Sequence, residues 1–161
     1  MILRVVVALL ALALTGCDVV MYLSPAIESW EAEVMGIPVV YKLVRGNDVY
    51  GGVMTWTGGV CRIALDVRLE GDEQVMVAAH EIGHCIDGAH LGWSSNGWGN
   101  AGCFHFGKHY CDPKEGFAQA WAHAYVLACG HARSPLGLRP GDGVECGLPD
   151  PRSIDPRRWY W

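Results

Sequence analysis

Residues 80–87 read His80-Glu81-Ile82-Gly83-His84-Cys85-Ile86-Asp87, and the rest of the chain can be read outward from them. On a helix, residues four apart share one face, about 40° from each other at 3.6 residues per turn, so the imidazoles of His80 and His84 can reach one cation. Glu81 stands about 100° around from His80, close enough to face a water on that cation without binding it. Two imidazoles and one neighbouring carboxylate in this HExxH spacing are the groups that hold Zn²⁺ and activate water. His80 and His84 are therefore candidate metal ligands, and Glu81 is a candidate general base.

The flanking residues predict how this helix is framed. Gly71-Asp72-Glu73 places acids at its N-terminus, where the helix dipole favours them. The helix is expected over 72–87, with Val75, Ala78, Ala79 and Ile82 turned to the core and Gly88 as its stop. Upstream, β-branched and aromatic runs at 27–35, 39–44, 49–56 and 60–65 are separated by Gly-rich turns, which predicts three or four antiparallel strands. Cys61, Ile63, Leu65 and Val67 alternate with Arg62, Ala64, Asp66 and Arg68, so the last strand has one more apolar face. Downstream, Asp112 as cap and Pro113 at the first position open a second helix that carries Glu115 and ends near 128, before Cys129-Gly130. The fold class expected is α+β: a small antiparallel sheet, then the His-bearing helix, then the Glu-bearing one. Trp93 and Trp98, in the Gly-rich loop between the helices, are expected to form a cleft wall or to fold back onto the core.

Zinc takes a third protein ligand and leaves its fourth position to water. Two residues could supply it. His90 lies six residues beyond His84, the span of the metzincin pattern HExxHxxGxxH, but Asp87 stands at that pattern's Gly position and Gly88 falls one residue late. Glu115 lies thirty-one residues beyond His84, and the whole two-helix pattern agrees with it. His80 to Asp87 followed by Glu115-Gly116-Phe117-Ala118 resembles the gluzincin arrangement of zincin-like metallopeptidases, in particular the compact bacterial and phage forms and the catalytic domain of anthrax lethal factor. That resemblance covers residues 72–128, and it implies Glu115 as third ligand. Asp87, seven residues past His80, is positioned to orient a ligand imidazole from behind. Gln119 occupies the place where thermolysin-type enzymes have an Asp. Tyr110, His109, His105 and His123 are all candidates for stabilising an oxyanion.

The ends of the chain suggest where it works. Arg4 followed by the apolar run Val5 to Leu14 is too short to span a bilayer, which takes about 20 residues, and reads as a signal peptide over 1–16. Leu14-Thr15-Gly16-Cys17 resembles the lipobox of bacterial lipoproteins, so Cys17 is the expected lipidation site and 17–27 a tether to the membrane. Asp18 resembles the inner-membrane retention signal of Gram-negative lipoproteins. Without the leader the charge is eleven Lys and Arg against seventeen Asp and Glu, −6, which offers no basic field for nucleic acid. Six further Cys in an exported chain argue for disulfides, and spacing favours Cys103–Cys111, Cys129–Cys146 and then Cys61–Cys85. Residues 28–130 are expected as the domain, and 131–161 as an extended Pro/Gly-rich tail whose aromatic end could cover the cleft.

The resemblance implies a zinc metallopeptidase anchored in the bacterial cell envelope. Its substrate would be a peptide or protein, with Glu81 taking the proton of the attacking water and passing it to the leaving amine. The alternative is a catalytically silent zinc-stabilised lipoprotein acting as a binding module, in which Glu81 would be dispensable.

Overall fold

The computed structural model describes residues 25–46 and 51–158. The expected signal peptide at 1–16, Cys17 and Asp18, most of the tether, the Asn47-Asp48 turn and the closing Trp159-Tyr160-Trp161 lie outside the described residues. Four strands come first, β1 (Ala26–Val34), β2 (Ile37–Val44), β3 (Gly52–Thr57) and β4 (Val60–Asp66). They form one sheet in the order β1-β2-β4-β3. Tight turns at Met35-Gly36 and Gly58-Gly59 make β1/β2 and β3/β4 antiparallel pairs, as short connections must. β2 and β4 nevertheless run parallel, with Val39 opposite Cys61 and Leu43 opposite Leu65, so the sheet expected to be antiparallel is mixed. The chain leaving β2 passes over one strand position before β3 begins, and β4 returns into the gap. Strand periodicity reports which face a residue takes and carries no information about that skip.

Among the described residues three α-helices follow: α1 (Gly71–Leu91), α2 (Gly102–Phe106) and α3 (Pro113–Cys129). The start of α3 is the expected one: Asp112 Oδ1 accepts the Lys114 N–H at 2.9 Å, and Pro113 sits where no N–H is needed. α1 does not stop at Gly88. It continues to Leu91 and ends at Gly92, in the left-handed region with φ 59°, whose N–H bonds back to the Asp87 carbonyl. Gly88 serves packing instead, because a Cβ there would come within 2.5 Å of the Trp93 ring.

The core lies between one face of the sheet and the two long helices. Tyr41, Ile63 and Leu65 meet Val75, Ala78, Ala79, Ile82 and Ile86 of α1, and Phe117, Trp121 and Tyr125 of α3 close it from behind. The α1 set recurs at the three- and four-residue spacing of a single helix face. Three disulfides pair as spacing suggested: Cys61–Cys85 joins β4 to α1 inside this core, while Cys103–Cys111 and Cys129–Cys146 close local loops.

Residues 131–158 do not extend away as a tail. Leu136, Leu138 and Ile154 belong to the same core. Buried aromatic rings need partners for their polar ends, and this segment's carbonyls provide them: Tyr41 Oη donates to Leu136 at 2.6 Å, Trp30 Nε1 to Gly137 at 2.8 Å and Tyr125 Oη to Ala132 at 2.6 Å. Among the described residues, no helix is long and apolar enough to cross a membrane.

Candidate metal centre

The site is made by the crossing of α1 and α3, whose backbones touch. Gly83 permits this, since a Cβ at that position would stand 2.8 Å from Ala118 Cα and 2.9 Å from its carbonyl oxygen. The crossing brings Glu115, in the first turn of α3, over the face of α1 that presents His80 and His84. His80 Nε2 lies 3.1 Å from Glu115 Oε2, His84 Nε2 lies 3.4 Å from Glu115 Oε1, and the two imidazole nitrogens are 3.2 Å apart. A tetrahedral zinc with bonds of about 2.0–2.1 Å sets its ligand atoms about 3.3–3.4 Å apart. The three donor groups already have the spacing such an ion needs, and they can hold a metal ion. Among the described residues they are the one cluster of three His, Cys, Asp or Glu side chains that can do so.

The electrostatics agree with a cation-binding set. Burial pushes the Glu115 carboxyl up, but hydrogen bonds from His80 and His84, with their charges, outweigh this and hold it far below the usual carboxylate range. The site therefore presents an anionic oxygen pair. Its flanks are only partly open, the side chains of His80, His84 and Glu115 being 14%, 11% and 29% exposed.

His90, the alternative third ligand, is elsewhere. Because α1 runs on past Gly88, six residues of helix turn His90 about 240° from His84. Its Nε2 instead lies 3.2 Å from the Met35 carbonyl oxygen.

Asp87 does not stand behind an imidazole either. Both its oxygens hold the loop after α1, accepting the Ser95 N–H at 2.7 Å and the Ser95 hydroxyl at 2.9 Å, and the residue is fully buried. The group behind the ligand is Gln119, whose Oε1 is 3.0 Å from His80 Nδ1 and whose Nε2 is 3.1 Å from His123 Nε2.

A cleft of about 510 Å³ opens beside the donors, lined by Gly52 to Thr55 of β3, His80, Glu81 and His84 of α1, Trp93, and His109, Asp112, Lys114 and Glu115. Glu81 is buried but faces this cleft. β3 is an edge strand, and Gly52 lets it come against Glu81: a Cβ there would stand 2.9 Å from the carboxylate Oε1. The two tryptophans of the loop divide the two expectations between them. Trp93 is a cleft wall, 39% exposed, edge-on to Trp56 and with Lys114 Nζ 5.3 Å from its ring centroid, whereas Trp98 is buried in the core. No residue of 131–158 lines the cleft.

The four candidates for an oxyanion partner also separate. His109 is at the rim, its side chain 74% exposed and its Nε2 3.6 Å from Glu115 Oε2. Tyr110 packs edge-on to His80 at 6.2 Å. Burial, then the Glu115 charge, push its phenol up, so it keeps its proton. His105 is turned away, its Nε2 2.7 Å from the Pro156 carbonyl oxygen, and His123 sits behind Gln119.

Gly52 and Gly83 are the functional positions that motif reading passed over. A signal existed for Gly83, because an interior helix glycine costs about 1 kcal/mol relative to Ala and points to a close approach. Gly52 falls with Gly51 inside the run 49–56 expected as a strand, where a glycine is likewise a sign of close backbone approach. Compared with known proteins, the chain matches no family model, no curated protein and no solved structure.

Proposed function

We propose that this chain is a zinc-dependent peptidase of the zincin-like, gluzincin type, presented at the bacterial cell envelope by a lipid on Cys17. The observation that carries the reading is the triad His80, His84 and Glu115 at zinc spacing, with Glu81 beside it in the same cleft. When bound there, zinc supplies Lewis-acid chemistry, acidifying water and polarising a carbonyl. The remaining work falls to the chain's own side chains. Glu81, whose carboxylate is confined between α1 and the bare backbone of Gly52, takes a proton from the attacking water and delivers it to the leaving amine.

The peptide itself is supported by the architecture around these groups. Among the described residues, β3 leaves one edge unpaired next to the donors, and an extended substrate can add to such an edge through main-chain hydrogen bonds. Trp93, met edge-on by Trp56, then forms an apolar wall for a side chain near the scissile bond. His109 at the rim is placed to donate to the carbonyl oxygen as it gains charge.

The test pairs zinc content with cleavage. Wild type should carry one zinc and cleave peptide, Glu115→Ala should lose the metal, and His90→Ala should keep it. Glu81→Gln should keep zinc while cleavage falls by about 10²–10⁴-fold or more. Zinc bound equally by wild type and Glu81→Gln, with no cleavage by either on casein-like or peptidoglycan-derived peptides, would return the chain to a zinc-stabilised binding module. Absence of zinc in wild type would remove both.

A further inference from the structure

Trp93, the wall of the cleft, sits in a backbone conformation that its residue type avoids. Its φ is 64°, and Ser95 and Asn96 follow at 49° and 45°. The left-handed region is open to glycine but crowds the Cβ of a bulky residue, so such positions persist only where their surroundings hold them.

Two anchors hold this loop. On its far side Asn96 Nδ2 donates to the Ile154 carbonyl at 2.8 Å. On its near side the bonds come from Asp87, three residues beyond His84 on α1. The Asp87 main-chain carbonyl accepts the Trp93 N–H at 3.0 Å, and its two carboxylate oxygens accept the Ser95 N–H at 2.7 Å and the Ser95 hydroxyl at 2.9 Å. A buried carboxylate is costly unless its oxygens are satisfied, and Ser95 brings one donor to each.

The indole is thereby laid against α1. It covers Gly88, where a Cβ would come within 2.5 Å of the ring, meets Trp56 edge-on at 6.1 Å and lies under Lys114 Nζ. His80, His84 and Asp87 stand on one helix, so the carboxylate fixes how far the wall stands from the metal donors.

We infer that Asp87 is a positioning residue for substrate selection: acting through Ser95, it holds Trp93 at a set place beside the metal donors, so that the cleft prefers peptides with a large apolar side chain next to the bond cut. The preference rests on the peptidase reading, whereas the hold on Trp93 is a property of the folded chain with or without a substrate.

The experiment uses the full chain with 5-fluorotryptophan in place of tryptophan, and the variants Asp87→Ala, Ser95→Ala and Asp87→Asn. The Trp93 fluorine resonance is assigned by its loss in Trp93→Phe. It should move toward that of the free amino acid, or broaden, in Asp87→Ala, and do so to a smaller extent in Ser95→Ala, which keeps the N–H bond. Asp87→Asn should leave it in place, since the amide oxygen accepts the N–H and the amide NH₂ donates to the hydroxyl oxygen. Zinc affinity should stay well inside the roughly tenfold loss that follows removal of a group supporting a ligand. Casein digests read by mass spectrometry give the selectivity. The ratio of cuts beside large apolar residues to cuts beside Gly, Ala and Ser should fall by about tenfold in Asp87→Ala, the scale of one lost apolar contact, and hold in Asp87→Asn.

An unmoved Trp93 resonance in Asp87→Ala and Ser95→Ala overturns the inference, and Ser95→Ala alone decides if Asp87→Ala does not fold. An unchanged cut ratio beside a moved resonance also overturns it, because a general packing role lowers both kinds of cut together. Loss of zinc in Asp87→Ala would put the carboxylate behind a ligand instead. Casein cleavage by wild type without any apolar preference refutes the selection and leaves the peptidase reading standing. No cleavage by wild type ends that reading and the selection with it, while the fluorine signal still decides whether Asp87 holds Trp93.

Discussion

Gly83→Ala should damage the metal site without touching a ligand. The added methyl would stand 2.8 Å from Ala118 Cα and 2.9 Å from its carbonyl oxygen, both of them backbone atoms that cannot swing aside. Ordinary contact begins near 3.4 Å, so α1 and α3 must part by about 0.6 Å, and Glu115 moves with α3. The His80–Glu115 separation, now 3.1 Å, would open to about 3.7 Å, three times the roughly 0.2 Å tolerance of a metal–ligand distance. Overpacking costs about 1–3 kcal/mol, and the better helix propensity of Ala returns up to about 1 kcal/mol. The metal-free variant should therefore be destabilised by about 0–3 kcal/mol and remain folded. Zinc affinity should fall by at least about tenfold, the scale on which misoriented ligands lose metal. Competition against a chromophoric chelator measures the affinity, and thermal melts with and without zinc measure the stability. Wild-type zinc affinity in a folded Gly83→Ala protein would show that the helix crossing does not set the donor spacing.

Gly52→Ala should do the opposite. Its Cβ would press on the Val77 and Glu81 side chains at 2.8 and 2.9 Å, and since side chains can yield, stability should change by less than about 1 kcal/mol while the base is displaced. Calorimetry should find normal zinc binding, and peptide assays should find reduced turnover. Replacing both Cys61 and Cys85 with Ala should cost about 3 kcal/mol in a denaturant titration, given the 24-residue separation the bridge closes. A much smaller loss would mean that core packing alone holds β4 to α1. Burial lowers the His123 pKa from its ordinary 6.5, so the unfolded chain binds more protons below that value. Stability from this group is complete above pH 6.5 and declines as pH falls toward the lowered value. Melting of metal-free wild type across pH 5 to 8 should show this slope, and His123→Phe should flatten it.

Features that depend on near neighbours were readable in the sequence. The Asp112-Pro113 start of α3, the apolar face of α1 and the i, i+4 placement of His80 and His84 all follow from the geometry of one helix. The disulfide pairs followed from spacing in the chain. α1 ends one turn beyond the expected stop because Gly88 and Gly92 carry the same local stop signal. Only the placement of Trp93 decides that Gly88 is a packing site.

What the tertiary structure alone decided are meetings between distant segments. Strand order turned on a skipped position after β2. Glu115 rather than His90 joined the two histidines because α1 rotates His90 away and the Gly83 contact brings α3 close. Asp87 shares a helix face with His80 in sequence, yet the returning loop claims both its oxygens. Gln119, on the second helix, stands behind His80 where Asp87 was expected. A helix repeat specifies direction around an axis; which partner waits in that direction is settled only when a second element packs there.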